Sequence, residues 1–197
     1  MDIENPEIRE IFKDLSFSEE EVKILSSVIQ KKVFKKGTII IKAEDIVTST
    51  YAIQNGCLRT YYIDKQGKEH TLQFGIQGWW ITDFTAFFSS SKAIMNLEVL
   101  KDASLYQLCS KDREYLFTKI PKFETFIRKK LENSYASFQK RILSNLSQTA
   151  TERYLSFIKA YPNIEKSVKN YHIASYLGIT AESLSRIRKE LSNHYIS

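Results

Sequence analysis

The sequence predicts an α+β chain: an N-terminal antiparallel β-roll of the jelly-roll type with flanking helices, then a long helix, then a C-terminal helix-turn-helix. Three observations point to it. Short β-branched and aromatic runs separated by turn signals fill residues 31–108. An apolar stripe at helical spacing runs from Phe123 to Leu146. A compact helical pair, NYHIASYLGITAESLSRIRK, occupies Asn170 to Lys189. The expected segments are 1–115, a sheet domain; 116–146, a long helix; and 147–197, a helical domain.

Residues 3–30 alternate apolar and charged side chains with helical period, with Ile8, Ile11 and Phe12 in one stripe and Val22, Leu25, Val28 and Ile29 in another. The second begins at Ser18 with Glu21 three residues on, a capping-box pattern. The runs VFKKGTIIIKA, STYAIQNGCLRTYYID, KEHTLQFGI and NLEVLKDASLYQL then read as strands, punctuated at Lys36-Gly37, Asn55-Gly56, Asp64 to Gly67 and Gln77-Gly78. Asn55-Gly56 and Asp64 to Gly67 are the expected hairpin turns.

In the long helix, Phe123, Ile127, Leu131, Tyr135, Phe138, Ile142 and Leu146 recur at spacings of three and four. A seam of almost seven turns lies either along its own domain or against a partner chain; in the second case the dimer seam would be Phe123, Ile127, Leu131, Tyr135, Phe138 and Ile142. A break at Asn145 to Gln148 precedes a helix over Thr149 to Ala160, ended by Tyr161-Pro162-Asn163.

In the helical pair, Ile173 and Leu177 share one face of a short first helix, and Ala174 is small where two helices cross. Gly178 suits a turn that needs positive φ, and Ile179 plugs the turn from the core side. Leu184, Ile187 and Leu191 give the second helix an apolar stripe, and Thr180, Glu182, Ser183, Arg186 and Lys189 lie off it. Those side chains suit the major groove, where Arg reads guanine and Glu accepts from cytosine. The same spacing also fits an ordinary helical hairpin with a solvated face.

Net charge of +6 and a pI near 9.1 favour a polyanionic partner, and a hydrophobic content of 43% supports a true core. No segment approaches the roughly 20 apolar residues that span a bilayer. The polar, acidic start MDIENPEIRE is unlike a secretory signal, and Cys57 and Cys109 show no framework or metal spacing. A cytoplasmic, reduced protein with no membrane contact is expected.

Taken together, the run FKKGTIIIKAEDIVTSTYAIQNGCLRTYYIDKQGKEHTLQFGIQG, the ATERYLSFI helix and the pair IASYLGITAESLSRIRKEL resemble the Crp–Fnr family of bacterial transcription regulators over nearly the full chain. The resemblance implies a cyclic-nucleotide-binding-like β-roll and a homodimer paired along the long helix. It implies a palindromic double-stranded DNA operator with half-sites about 34 Å apart; RNA polymerase would be a further partner if the output is activation, which the sequence leaves open. The family's base-reading positions fall on Ala181, Glu182 and Arg186. The first is usually a long basic or polar side chain; alanine touches a thymine methyl but cannot hydrogen-bond to a base edge, so a different operator is expected. Thr180 would cap the second helix and contact phosphate, with Lys169, Arg188 and Lys189 adding non-specific phosphate attraction. Only Ser192 to Ser197 follow Leu191, so the family's β-hairpin wing is expected to be absent or a stub.

The family's cyclic-phosphate cassette uses a Gly-Glu pair and, about ten residues on, an Arg-Ser pair whose Arg holds the phosphate bidentately. Here Thr82-Asp83 stands in the first position, and no Arg occurs between Arg59 and Arg113. Lys92 is the nearest cation. Binding of cyclic AMP in that manner is therefore not expected. Trp79, Trp80, Asp83, Phe84 and Lys92 are the candidate ligand pocket, with Phe87 and Phe88 nearby; the competing reading is that these aromatics pack the region shut as core. The effector is left unassigned.

An iron–sulfur sensor needs about four clustered Cys, and a cupin-type metal site several His, whereas His70 is alone in the sheet region. No metal, cofactor or enzymatic activity is expected. The competing functional reading is a ligand-binding sensor whose helical domain mediates protein interaction.

Overall fold

Ser18 caps the first described helix with both halves of a capping box in place: its hydroxyl accepts from Glu21 N–H at 3.2 Å and its own N–H donates to Glu21 Oε2 at 2.7 Å. That helix, α1, spans Glu19–Val28 and buries Val22 and Leu25. The computed structural model describes residues 11–12, 15–162 and 164–194; Ile8 of the expected first stripe, Asn163 and the expected wing residues Tyr195 to Ser197 lie outside them.

Six strands follow: β1 Gln30–Phe34, β2 Ile39–Ile41, β3 Ser49–Ile63, β4 Glu69–Gly75, β5 Trp80–Ile81 and β6 Asn96–Cys109, with helix α2, Phe84–Ser89, between the last two. The sheet order is β1-β6-β3-β4, with β2 on β6 and β5 on β3. Side chains alternate across it and fill two cores. Ala52, Tyr106 and Leu108 face the helices and pack with Phe12, Leu25, Leu116 and Phe123. Ile53, Leu58, Leu97, Val99 and Leu105 face the roll interior with Ala86 and Phe87.

The turn at Asp64 to Gly67 joins β3 to β4 as expected. Asp64 Oδ1 accepts from Gln66 and Lys68 N–H at 3.0 and 2.9 Å, and Oδ2 meets His70 Nε2 at 2.7 Å. Asn55-Gly56 is not a hairpin: β3 runs straight through it against β6, with register shifts between Ile53 and Leu58. Asn55 Oδ1 accepts the Ser104 N–H at 3.0 Å, so a side chain supplies a ladder bond at the bulge. Gly56 has φ +103°, and a Cβ there would lie 2.5 Å from Ala103 Cβ. The turn-like dipeptide marks a bulge because the partner strand continues past it.

Helix α3, Ser110–Lys119, is followed by α4, Pro121–Ser147, of 27 residues. Pro121 suits a first helical turn and restrains Ile120 from helix, so the long helix starts at Pro121 rather than 116. Then come α5 Ala150–Ala160, a 3₁₀ turn Ile164–Lys166, α6 Asn170–Leu177 and α7 Ala181–His194. No helix among the described residues is long and apolar enough to cross a membrane.

Two compact units result: residues 1–61 with 74–132, and residues 62–73 with 133–197. The division falls inside α4 and assigns the β3–β4 hairpin to the second unit. There the Ser175 hydroxyl on α6 accepts from Thr71 N–H at 2.8 Å and donates to the Glu69 carbonyl at 2.9 Å, and Arg141 Nη1 donates to the Leu72 carbonyl at 2.5 Å.

Candidate nucleic-acid interface

The α6–α7 pair is built on a small apolar core. Ile173, Ala174, Leu177, Leu184 and Ile187 are buried together with Tyr154, Phe157, Tyr161, Ile164 and Val168. Gly178 closes α6 at φ +67° and donates its N–H to the Ala174 and Ser175 carbonyls, the left-handed cap that glycine adopts at least cost. Arg153 from α5 donates to the Leu177 carbonyl at 3.2 Å and to the Gln148 carbonyl at 2.8 Å, satisfying carbonyls at two helix ends.

Thr180 precedes α7, and its hydroxyl accepts from the Ser183 N–H at 3.2 Å. Helix geometry advances about 100° per residue. Glu182, Arg186 and Lys189 therefore share a sector about 60° wide, and all three are exposed, whereas Ala181 and Ser183 are half-buried. The Glu182 carboxyl lies below the usual carboxylate range, held first by its own backbone N–H and then by the Thr180 hydroxyl. Among the described residues, Arg186 meets an ion-pair partner only in a 3.9 Å approach to Glu190, both well exposed, which lets the guanidinium reach outward. Lys169, exposed at the start of α6, lies 5.6 Å from the Tyr171 ring centroid.

Arg188 does not belong with these cations. About 200° of helix rotation separates it from Arg186, and it turns inward, donating to Glu165 Oε1 at 2.6 Å, Asn170 Oδ1 at 2.5 Å and the Tyr154 hydroxyl at 3.1 Å. The phosphate attraction expected of Arg188 is therefore not offered on the outward sector, since the helical wheel sets it apart from Arg186 and Lys189.

The dimer-seam residues split. Phe123 is fully buried in its own unit, 5.4 Å from the Phe12 ring and 5.9 Å from Phe117, so it is unavailable to a second chain. Ile127 and Leu131 are half-buried. Tyr135, Phe138 and Ile142 are exposed, as are Leu143 and Leu146.

The candidate ligand pocket is also divided. Asp83 is 1% exposed, and its carboxylate accepts three backbone N–H groups, from Ala86 at 3.1 Å, Ile94 at 2.9 Å and Met95 at 3.0 Å. It caps α2 and ties that helix to the segment entering β6. Lys92 sits on the surface, paired with Glu44 at 3.1 Å. Trp79 packs against the roll interior and Trp80 against the Phe12 side. Trp80 and Phe84 line a small, partly open cavity of about 30 Å³ with Phe87, Phe88, Arg113 and Lys130; Trp79, Asp83 and Lys92 are not among its lining residues. Burial pushes the Cys57 thiol up to about 12. Cys109 pairs across the sheet with Ser49, eight residues before Cys57 on β3, so the two thiols lie about 25 Å apart by strand rise and cannot form a bond with one another.

Comparison with known proteins agrees with this architecture. Residues 31–119 match the cyclic nucleotide-binding domain family. An anaerobic regulatory protein of Aggregatibacter actinomycetemcomitans is 28% identical over 93% of this chain and 76% of its own length. Regulatory protein HlyX of Actinobacillus pleuropneumoniae is 27% identical over 93% of this chain and 81% of its own. Among solved structures, FixK2 from Bradyrhizobium japonicum superposes with a TM-score of 0.75 at 18% identity, covering 86% of this chain and 87% of its own. A CooA mutant from Carboxydothermus hydrogenoformans gives 0.71 at 15% identity, covering 94% and 84%. A cyclic-nucleotide-binding-like β-roll, a long helix and a helix-turn-helix in this order are the architecture of these solved structures, and the named regulators are similar to this chain across almost its whole length, in keeping with the resemblance to Crp–Fnr regulators.

Proposed function

We propose that the chain is a homodimeric, sequence-specific DNA-binding regulator that reads a palindromic operator with Glu182 and Arg186. The observation that carries this reading is the outward sector of α7, where an acceptor, Glu182, and a fork of donors, Arg186, stand exposed on a helix whose opposite side is buried. Thr180, Ala181, Ser183, Lys169 and Lys189 complete the surface, the lysines attracting phosphate and Ala181 offering a methyl to a thymine. Two copies pair through Tyr135, Phe138 and Ile142. RNA polymerase is a further partner in this reading, and the compartment is the cytoplasm.

Cyclic AMP in the cyclic-phosphate manner is not the gate. Asp83 is engaged by the backbone, Lys92 by Glu44, and neither lines the cavity beside Trp80 and Phe84.

Gel shifts with a selected operator and a scrambled duplex, run with no cyclic AMP added, test both points. Arg186→Ala is expected to lose about 1–3 kcal/mol at one base position and little on the scrambled duplex. Lys189→Ala should weaken both duplexes alike and flatten the salt dependence by about one phosphate contact. Equal losses on both duplexes for Arg186→Ala, or an operator shift that requires cyclic AMP, would contradict the reading.

A further inference from the structure

The groove-facing sector of α7 accounts for Arg186 but leaves its other arginine unused. Arg188 is only 26% exposed at its side chain, against 76% for Arg186. Its guanidinium meets three different elements: Nε donates to the Tyr154 hydroxyl of α5, Nη2 to Glu165 Oε1 in the 3₁₀ turn, and Nη1 to Asn170 Oδ1 in the first turn of α6. The Tyr154 hydroxyl in turn donates to the same Glu165 oxygen, and the Arg188 guanidinium carbon lies 5.5 Å from the Tyr154 ring centroid. Three elements, α5, the 3₁₀ turn and α6, thus each contribute a polar group to one side chain of α7.

We infer that Arg188 is a positioning residue for base readout: it fixes the tilt and rotation of α7, and so the aim of Glu182 and Arg186, without touching DNA. This rests on the reading of α7 as the recognition helix.

The remaining anchors of α7, Leu184 and Ile187, are apolar. Apolar burial is non-directional and tolerates sliding and rolling, whereas hydrogen bonds from a planar guanidinium to acceptors on three different elements restrict both. Seven residues separate Ala181 from Arg188, about 10 Å of helix, so a tilt of about 10° at Arg188 moves the helix start by about 2 Å. Base-edge hydrogen bonds fail over that distance. Phosphate attraction, which acts over several ångströms and accepts many geometries, survives it.

The test compares wild type, Arg188→Met and Glu165→Gln. The probes are a duplex selected by the wild-type chain from a random library and a scrambled duplex of equal length, titrated over a range of salt. Arg188→Met is expected to lower the selected-to-scrambled affinity ratio about ten-fold, the worth of roughly one good base contact. Glu165→Gln, which leaves the arginine in place and perturbs the fold less, should lower the ratio in the same direction by less. In both, the slope of log affinity against log salt should equal that of the wild type. A slope reduced by about 0.9 with the ratio intact would make Arg188 a phosphate contact and overturn the inference. Equal losses on both duplexes at unchanged slope would reduce its role to folding and overturn it as well. A wild-type chain that selects no duplex would instead remove the DNA reading itself.

Discussion

Asp83→Ala is expected to lower the stability of the N-terminal unit by about 3–4 kcal/mol. The carboxylate is buried and accepts three backbone N–H groups, one starting α2 and two in the segment that leads into β6. Alanine leaves those donors without their acceptor at a buried site, and a buried donor without an acceptor costs about 1–3 kcal/mol. Urea unfolding followed by circular dichroism measures the effect, as a shifted midpoint at constant slope. Asp83→Asn, which keeps one acceptor oxygen, should fall between the two. A loss under about 1 kcal/mol would mean that the carboxylate is held for something other than the backbone.

Phe138→Asp and Ile142→Asp are expected to convert a dimer to a monomer with no loss of helical signal. Both side chains are 43% exposed in the isolated chain, and Leu143 and Leu146 beside them reach 63% and 80%. An apolar row of that kind on a helix calls for a partner, and a buried aspartate opposite its own copy is doubly unfavourable there. Loss of the second half-site should weaken operator binding by about 10²–10⁴, since linked binding events gain that much from effective concentration. Sedimentation velocity reads the oligomeric state, and a variant that remains dimeric would place the seam elsewhere. Phe123→Asp is no substitute in this test, because Phe123 belongs to its own unit's core.

Local chemistry was legible in the sequence wherever the partner lies within a few residues. Ser18 and Glu21 announce the start of α1, Asp64 to Gly67 the β3–β4 turn and Gly178 the end of α6, because each motif satisfies its own backbone. Where the partner is distant, local pattern misled. Asn55-Gly56 has the composition of a hairpin, but Ala103 and Ser104 on β6 make it a bulge. The stripe from Phe123 to Leu146 is continuous in sequence, yet Phe12 and Phe117 claim its first residue. Asp83 stands at the position of a ligand-cassette acid in the sequence, yet its carboxylate is taken by the backbone N–H groups of Ile94 and Met95. The Ser175 bridge to the hairpin backbone leaves no sequence signal, since it joins residues more than a hundred apart.

The most direct test of the account is selection of duplexes from a random library by the full chain, followed by sequencing of the bound fraction. The account predicts enrichment of a palindrome whose half-sites are about one helical turn apart, recovered without cyclic AMP, with one base position in each half-site made indifferent by Arg186→Ala. A bound fraction with no enriched motif, or a single asymmetric half-site that Arg186→Ala leaves unchanged, would contradict it.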